Sequence, residues 1–281
     1  MAAVITERAT VGLSRLPATA GNASLAGAVR SEFTKIRSVR STWWTLIAMV
    51  VVMVGIGAIA CAGAAHAAHN GHAISIDPAQ QSLFGVILAQ LIIAVLGALT
   101  ITSEFGTGMI RTSLSTLPRR GTFVAAKAIV FAVVALVTSL VASFGAFFLG
   151  QALLSGAHLS TTLSQPNVLR AVIGAALYLT ACGMLAFGLG LIIRHSAGAI
   201  SAAVGVLFVL WVLYQMISSS LPISWQHDIG RWIPMNAGSG IWLTGRTDPH
   251  MFSPWIGLGV FAAYAAIAIA VGVTLFRRRN V

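Results

Sequence analysis

The sequence predicts an all-α membrane protein, a six-transmembrane-helix bundle with N- and C-termini cytoplasmic. Three observations predict it. First, the chain is too apolar for water. Its mean hydropathy is +0.90 and only 8% of its residues are charged, where a soluble domain carries about 25%. Second, six segments can cross a bilayer as helices, at roughly 43–65, 83–102, 128–149, 171–193, 197–217 and 255–276. A hydrocarbon core of ~30 Å takes about 20 residues at 1.5 Å each. None of the six holds Asp, Glu, Lys or Arg. Third, the bases are asymmetric. With the N-terminus inside, 14 of the 17 Lys and Arg residues fall on the cytoplasmic side, and only Arg170, Arg231 and Arg246 fall outside. That is the positive-inside pattern, and the inverted orientation breaks it. The net charge of +11 is thus explained by topology, with no nucleic acid as partner.

The elements run in order from the N-terminus. Residues 1–23 contain Glu7, Arg8 and Arg15 and no apolar h-region, so they read as a polar cytoplasmic tail and not a signal peptide. Residues 24–281 read as one membrane domain. Just before the first span lies "SLAGAVRSEFTKIRSVRSTWW", where Leu25, Val29, Phe33, Ile36 and Trp43 recur at spacings of 4, 4, 3 and 7. They share one helical face, with Arg30, Lys35, Arg37 and Arg40 mostly elsewhere. This predicts an amphipathic helix in the cytoplasmic interface, in contact with membrane lipid through Phe33, Lys35, Arg37 and Arg40. The plainer alternative continues the first span inward as a solvated helix.

The outer loops differ in character. Residues 66–82 are polar and hold His66, His69, His72 and Asp77. The three histidines line one face only if the helix runs through Asn70 and Gly71, and the plainer reading is a polar loop with no metal. Residues 218–254 carry Trp225, Trp232 and Trp242 among Pro and Gly, a composition suited to short helices at the outer interface. Inside the spans, Gln90 and Gln215 are the most polar side chains and read as hydrogen-bond partners between helices. Gly55, Gly57, Gly188 and Gly190 suit close helix packing. Cys61 and Cys182 fall in apolar runs and read as small buried residues.

Between the second and third predicted spans runs "ITSEFGTGMIRTSLSTLPRRGTFVAAK". Phe105, Met109, Leu114 and Leu117, at spacings of 4, 5 and 3, make an imperfect apolar stripe on a short helix. Glu104 stands at its start and Arg119 and Arg120 come after its end, signs that complement a helix dipole. Pro118 stops it. A few residues can join two spans, so an ordered helix here reads as a docking element.

Several chemistries have no motif. Neither Lys35 nor Lys127 follows a glycine, so there is no Gly-x-x-x-x-Gly-Lys phosphate cradle. The Gly-Thr-Gly at 106–108 follows no strand, and neither His-Glu-x-x-His nor Gly-x-Ser-x-Gly occurs. No cofactor is expected.

Two stretches carry a family resemblance. "SEFTKIRSVRSTWW" before the first span resembles the start of an ABC-2 type transporter permease. "EFGTGMIRTSLSTLPRRGTFVAAK" resembles that family's segment after the second span, through Glu104, Gly108, Ile110, Arg111, Leu114, Pro118, Arg120 and Lys127. "IPMNAG" in the last outer loop is a weaker likeness. The resemblance implies that residues 24–281 are the transmembrane permease of an ABC exporter in the cell membrane. It implies two permease chains, as homo- or heterodimer, and a separate ABC ATPase subunit beneath them. The cytoplasmic coupling helix between spans 2 and 3 would engage that ATPase through Glu104, Met109, Ile110, Arg111, Arg119 and Arg120. The chain itself would be no enzyme. The competing classes are a membrane-embedded enzyme, built on His66, His69, His72, Asp77 and Asp228, and a non-transporting partner such as a sensor or immunity protein. Nothing in the spans selects a substrate.

Overall fold

The computed structural model describes residues 25–70, 76–106, 120–220, 226–245 and 250–278. Every regular element among them is a helix. Helix α1 is Leu25–Ser38 and α2 is Arg40–His69. A short α3, Pro78–Ser82, precedes α4, Val86–Gly106. Then come α5, Arg120–Ser155, and α6, Val168–Ile193. The fifth crossing is built of α7, Ser196–Val204, a π-helical stretch Gly205–Val209, and α8, Leu210–Ser220. The short α9, Gln226–Gly230, and α10, Pro234–Ser239, lead to α11, Pro254–Arg278.

Six of these stretches are long and apolar enough to span a membrane, and each overlaps one predicted segment. The chain is a multi-pass membrane protein. In lipid a helix satisfies its own backbone, which is why apolar runs of this length adopt no other form. The boundaries moved for local reasons. The second span starts at Val86, not residue 83, because Asp77 caps α3. Its carboxylate Oδ1 accepts from the N–H groups of Ala79 and Gln80 at 3.1 Å each, Pro78 sits in the first turn, and a turn at Leu83–Gly85 comes next. The third helix begins at Arg120, so Lys127 lies two turns inside it. Its 36 residues reach about 54 Å, well past a ~30 Å hydrocarbon core. Between α1 and α2, Val39 is extended at φ −86° and ψ 105°, so α1 is a separate helix.

Helix α6 is the centre. It packs on α4, α5 and α11, while α2 lies against α5 and α4. Glycine permits the closest of these approaches. A Cβ on Gly97 of α4 would lie 2.2 Å from the carbonyl oxygen of Gly183 on α6. A Cβ on Gly57 of α2 would lie 2.2 Å from that of Ser82. Gly188 and Gly190 are crowded in the same way, whereas a Cβ on Gly55 would meet nothing within 4 Å. Close backbone contact between small residues is how helices associate where lipid removes the hydrophobic drive.

Buried polar groups join the helices as well. Tyr178 Oη donates to Gln90 Oε1 at 2.5 Å, and Gln90 Nε2 donates to the Ile87 carbonyl at 3.1 Å. Gln90 is therefore the interhelical partner that the sequence predicted. Gln215 is exposed on α8 and makes no such bond between the described helices. At the end of the bundle away from α1, Arg170 donates to the carbonyls of Gly240 and Leu243 at 3.3 and 2.9 Å. Thr244 Oγ1 donates to Asp77 Oδ2. These bonds tie residues 240–245 to α6 and α3.

Gly97→Val should lower the unfolding temperature of the purified chain in mild detergent by several degrees, since overpacking a close contact costs about 1–3 kcal/mol. Gly55→Ala, facing open space, should leave it unchanged.

Candidate functional site

The charges of the bundle's basic end are where chemistry gathers. Glu32 and Lys35 lie three residues apart on α1, on one helical face. Glu104 occupies the last turn of α4, and Lys127 projects from the second full turn of α5. The fold brings the four together. Lys127 Nζ lies 2.5 Å from Glu32 Oε2 and 2.8 Å from Glu104 Oε1. Lys35 Nζ pairs with Glu104 Oε1 and lies 3.8 Å from Glu32 Oε1. Glu32, Glu104 and Lys127 are buried at 5%, 3% and 3% exposure, while the Lys35 side chain stays 31% exposed. Lys127 also stands 5.4 Å from the ring centre of Phe123, a cation–π contact.

The cluster is neutral, two carboxylates against two ammonium groups. That balance is what lets it be buried. Glu104 also sits at a helix C-terminus, the wrong end of the dipole for an acid. Two lysines offset this. One atom remains unmatched: Glu104 Oε2 is buried and accepts no hydrogen bond among the described residues. Such an orphan costs about 1–3 kcal/mol, and no described residue supplies its donor.

A second constellation closes the same end. Arg194, at the C-terminus of α6, adopts a left-handed conformation with φ 62°, which costs a non-glycine residue about 1–2 kcal/mol. Its guanidinium lies 5.3 Å from the Phe105 ring centre and 5.6 Å from that of Phe276. It also donates to the Leu275 carbonyl at 3.2 Å. Phe105 and Phe276 meet edge to face at 5.9 Å. The ends of α4, α6 and α11 are thereby joined, one residue beyond Glu104. Ser196 at the start of α7 adds a bond to Thr102 of α4 at 3.0 Å.

Of the residues predicted from sequence, Glu104 and Lys35 meet in the cluster. Phe33, Arg37 and Arg40 are exposed. On α1 the face turned to the bundle carries Ala28 and Glu32, while Leu25 and Phe33 are exposed. Met109, Ile110, Arg111 and Arg119 lie outside the described residues, as does the side chain of Arg120. The segment read as a coupling helix therefore lies outside them too. Helix α2 does run through His66 and His69, both exposed, with His66 Nε2 3.1 Å from Asn70 Nδ2. His72 is outside the described residues, and among those described no three His, Cys, Asp or Glu side chains come together to hold a metal. Glu32 and Lys127 were not predicted as site residues. The available signal was stoichiometric: the described acids of the basic end are two, Glu32 and Glu104, and an acid buried there needs a base.

The family model of the "ABC-2 family transporter protein" matches residues 28–210, more than half of the chain. The chain belongs to the ABC-2 family of transporter proteins. The match takes in α1 with its Glu32 and Lys35 and the stretch from Glu104 to Lys127, the two stretches whose likeness was legible in the sequence. It ends before "IPMNAG". No curated protein matches the chain. Its role is that of a permease-type membrane component of a transporter, and the ion cluster lies where three of that family's matched helices converge.

Lys127→Met should leave two buried carboxylates with one lysine, a change that costs about 3–5 kcal/mol. Chemical denaturation in detergent should show it. Restoring neutrality with Glu32→Gln in the same chain should recover part of the loss, a coupling that independent sites do not show.

Proposed function

We propose that this ABC-2 family member forms the translocation pathway of an exporter in the cell membrane, driven by a separate ABC ATPase subunit on its cytoplasmic face. The observation that carries this reading is the ion cluster at the ends of α4 and α5. Residues 107–119 join two helix ends that the Glu104–Lys127 pair holds together. Lys35 and Glu32 extend the tie to α1. A push delivered to the joining segment reaches three helices as one body, which is what rocking between two open states needs. In this proposal Met109, Ile110, Arg111, Arg119 and Arg120 contact the ATPase, and Glu104 anchors the segment to the bundle. ATP hydrolysis belongs to the partner.

Charge placement supports the orientation. Arg30, Lys35, Arg37, Arg40, Lys127, Arg194, Arg277 and Arg278 gather at the end with α1, against Arg170 and Arg231 among the described bases of the other end. The first end is cytoplasmic by the positive-inside rule, and both termini with it. Helix α1 then lies in the cytoplasmic interface, with Phe33 toward lipid and Arg37 toward headgroups. A second permease chain completes the pathway. The face offered by α8, where Leu210, Leu213 and Ile217 are exposed, suits it, because α8 packs on few of the other described helices.

The chain, tagged and purified from its native membrane in mild detergent, should bring an ATPase subunit with it. Arg111→Ala with Arg119→Ala should reduce that yield roughly tenfold, about 1.4 kcal/mol, without altering the chain's own elution. A wild-type chain that brings no ATPase would overturn the proposal. Orientation has its own test. With Cys61 and Cys182, both free and buried, replaced by Ala, Arg231→Cys should react with an impermeant maleimide on intact cells. Ser38→Cys should react only after permeabilisation.

A further inference from the structure

A cavity of about 430 Å³ opens beside the ion cluster, between α1, α2 and α4. Glu104 and Lys35 form its polar end, and Leu96, Leu99, Val39 and Thr45 line its walls. Its volume is that of an ordinary small-molecule site. Three features of this cavity are specific. Glu104 Oε1 is already shared by Lys35 and Lys127, while Oε2, on a residue only 3% exposed, has no hydrogen-bond partner among the described residues. Lys35 lines the cavity, and its side chain is 31% exposed. Leu99 at the rim is 36% exposed, and on α2 next to Val39 and Thr45 the indoles of Trp43 and Trp44 are also exposed. Aromatic rings of this kind sit at headgroup level in a bilayer.

We propose that this cavity binds the head of a membrane amphiphile that carries a primary ammonium group next to a phosphate, an ethanolamine phospholipid being the simplest such molecule. The assignment comes from donor and acceptor chemistry. A buried carboxylate oxygen without a partner takes an N–H or O–H donor, and a charged donor makes the strongest such bond. A primary ammonium has three N–H groups. A quaternary choline head has none, so it brings charge but no bond. A serine head adds a carboxylate of its own against Glu104. The phosphate next to the ammonium falls to Lys35, whose N–H groups are not all used by the two carboxylates. Leu96, Leu99 and Val39 then receive the first methylenes, which is why the source is the bilayer and not a free solute. The site stands on the membrane reading alone and does not depend on ATPase coupling. Its occupancy and the docking of a partner can therefore fail separately.

The test is lipid retention by native mass spectrometry. The purified chain is exchanged in mild detergent against phospholipids of equal acyl length with ethanolamine, choline or glycerol heads. One ethanolamine lipid per chain should survive, preferred roughly tenfold over each of the others, as one charge-assisted bond allows. Leu99→Trp, which fills the rim without touching the cluster, should abolish that retention while the chain elutes as a single species. Glu104→Gln should bring ethanolamine and choline lipids to parity. Equal retention of all three heads, or retention unchanged in Leu99→Trp, would overturn the proposal. Soluble glycerophosphoethanolamine should not displace the lipid at equal concentration, and displacement would show that the site reads a free solute and overturn the bilayer source.

Discussion

Two carboxylates and two ammonium groups, taken out of water together at one end of a helical bundle, set the geometry of that end. Glu32 and Lys35 belong to α1, Glu104 to α4 and Lys127 to α5. None of these charges could be buried alone, because isolated ionised groups cost far more to desolvate than a single contact returns. Paired, they fix the azimuth of α1 on the bundle, since a rotation of α1 would withdraw both its charges at once. Ionic contacts of this kind add little net stability compared with apolar packing and act mainly on which arrangement is adopted. The apolar contacts of α1 are few: Ala28 is its one buried apolar residue. Its placement therefore depends on the ions.

The rest of the structure is ordered around the opposite principle. Along α4 and α6 the contacts are between backbones, through Gly97 and Gly183, with side chains meshing around them. Dispersion contacts and a few hydrogen bonds, such as Tyr178 to Gln90, hold helices that lipid does not squeeze together. The fifth crossing departs from this. Its first half, α7, packs on α4 and α6, but past the π-helical stretch Gly205–Val209 it leaves the bundle. A π-turn shifts the register of a helix and redirects the residues beyond it. The result is an apolar face on α8 where Leu210, Leu213 and Ile217 are exposed among the described residues.

The two kinds of contact meet at the basic end, where the ion cluster joins α1, α4 and α5. The Arg194 constellation with Phe105 and Phe276 extends the same end to α6 and α11, so five helices share one region. The cavity lined by Glu104 and Lys35 lies in that same region.

The sequence by itself determined the six spans, their order and the basic end. Each depends on hydropathy summed over about 20 neighbouring residues, a local quantity that the bilayer reads directly. It also showed the two stretches that carry the family likeness. Boundaries were less legible, because caps such as Asp77 on α3 shift an end without changing the hydropathy around it. The interhelical role of Gln90 was legible from its depth, while Gln215, at a similar depth, turned out to be exposed because α8 leaves the bundle. Only the tertiary structure decided that Glu104 belongs to an ion cluster. Its partners are Lys35, 69 residues away, and Lys127, while Glu32 lies 95 residues from Lys127. Read in its own neighbourhood, Glu104 is a helix-end acid with arginines after it. Folded, it is a buried anion held by two lysines from other helices, because the energy of a charge in a membrane protein is set by what surrounds it in space and not by what precedes it in the chain.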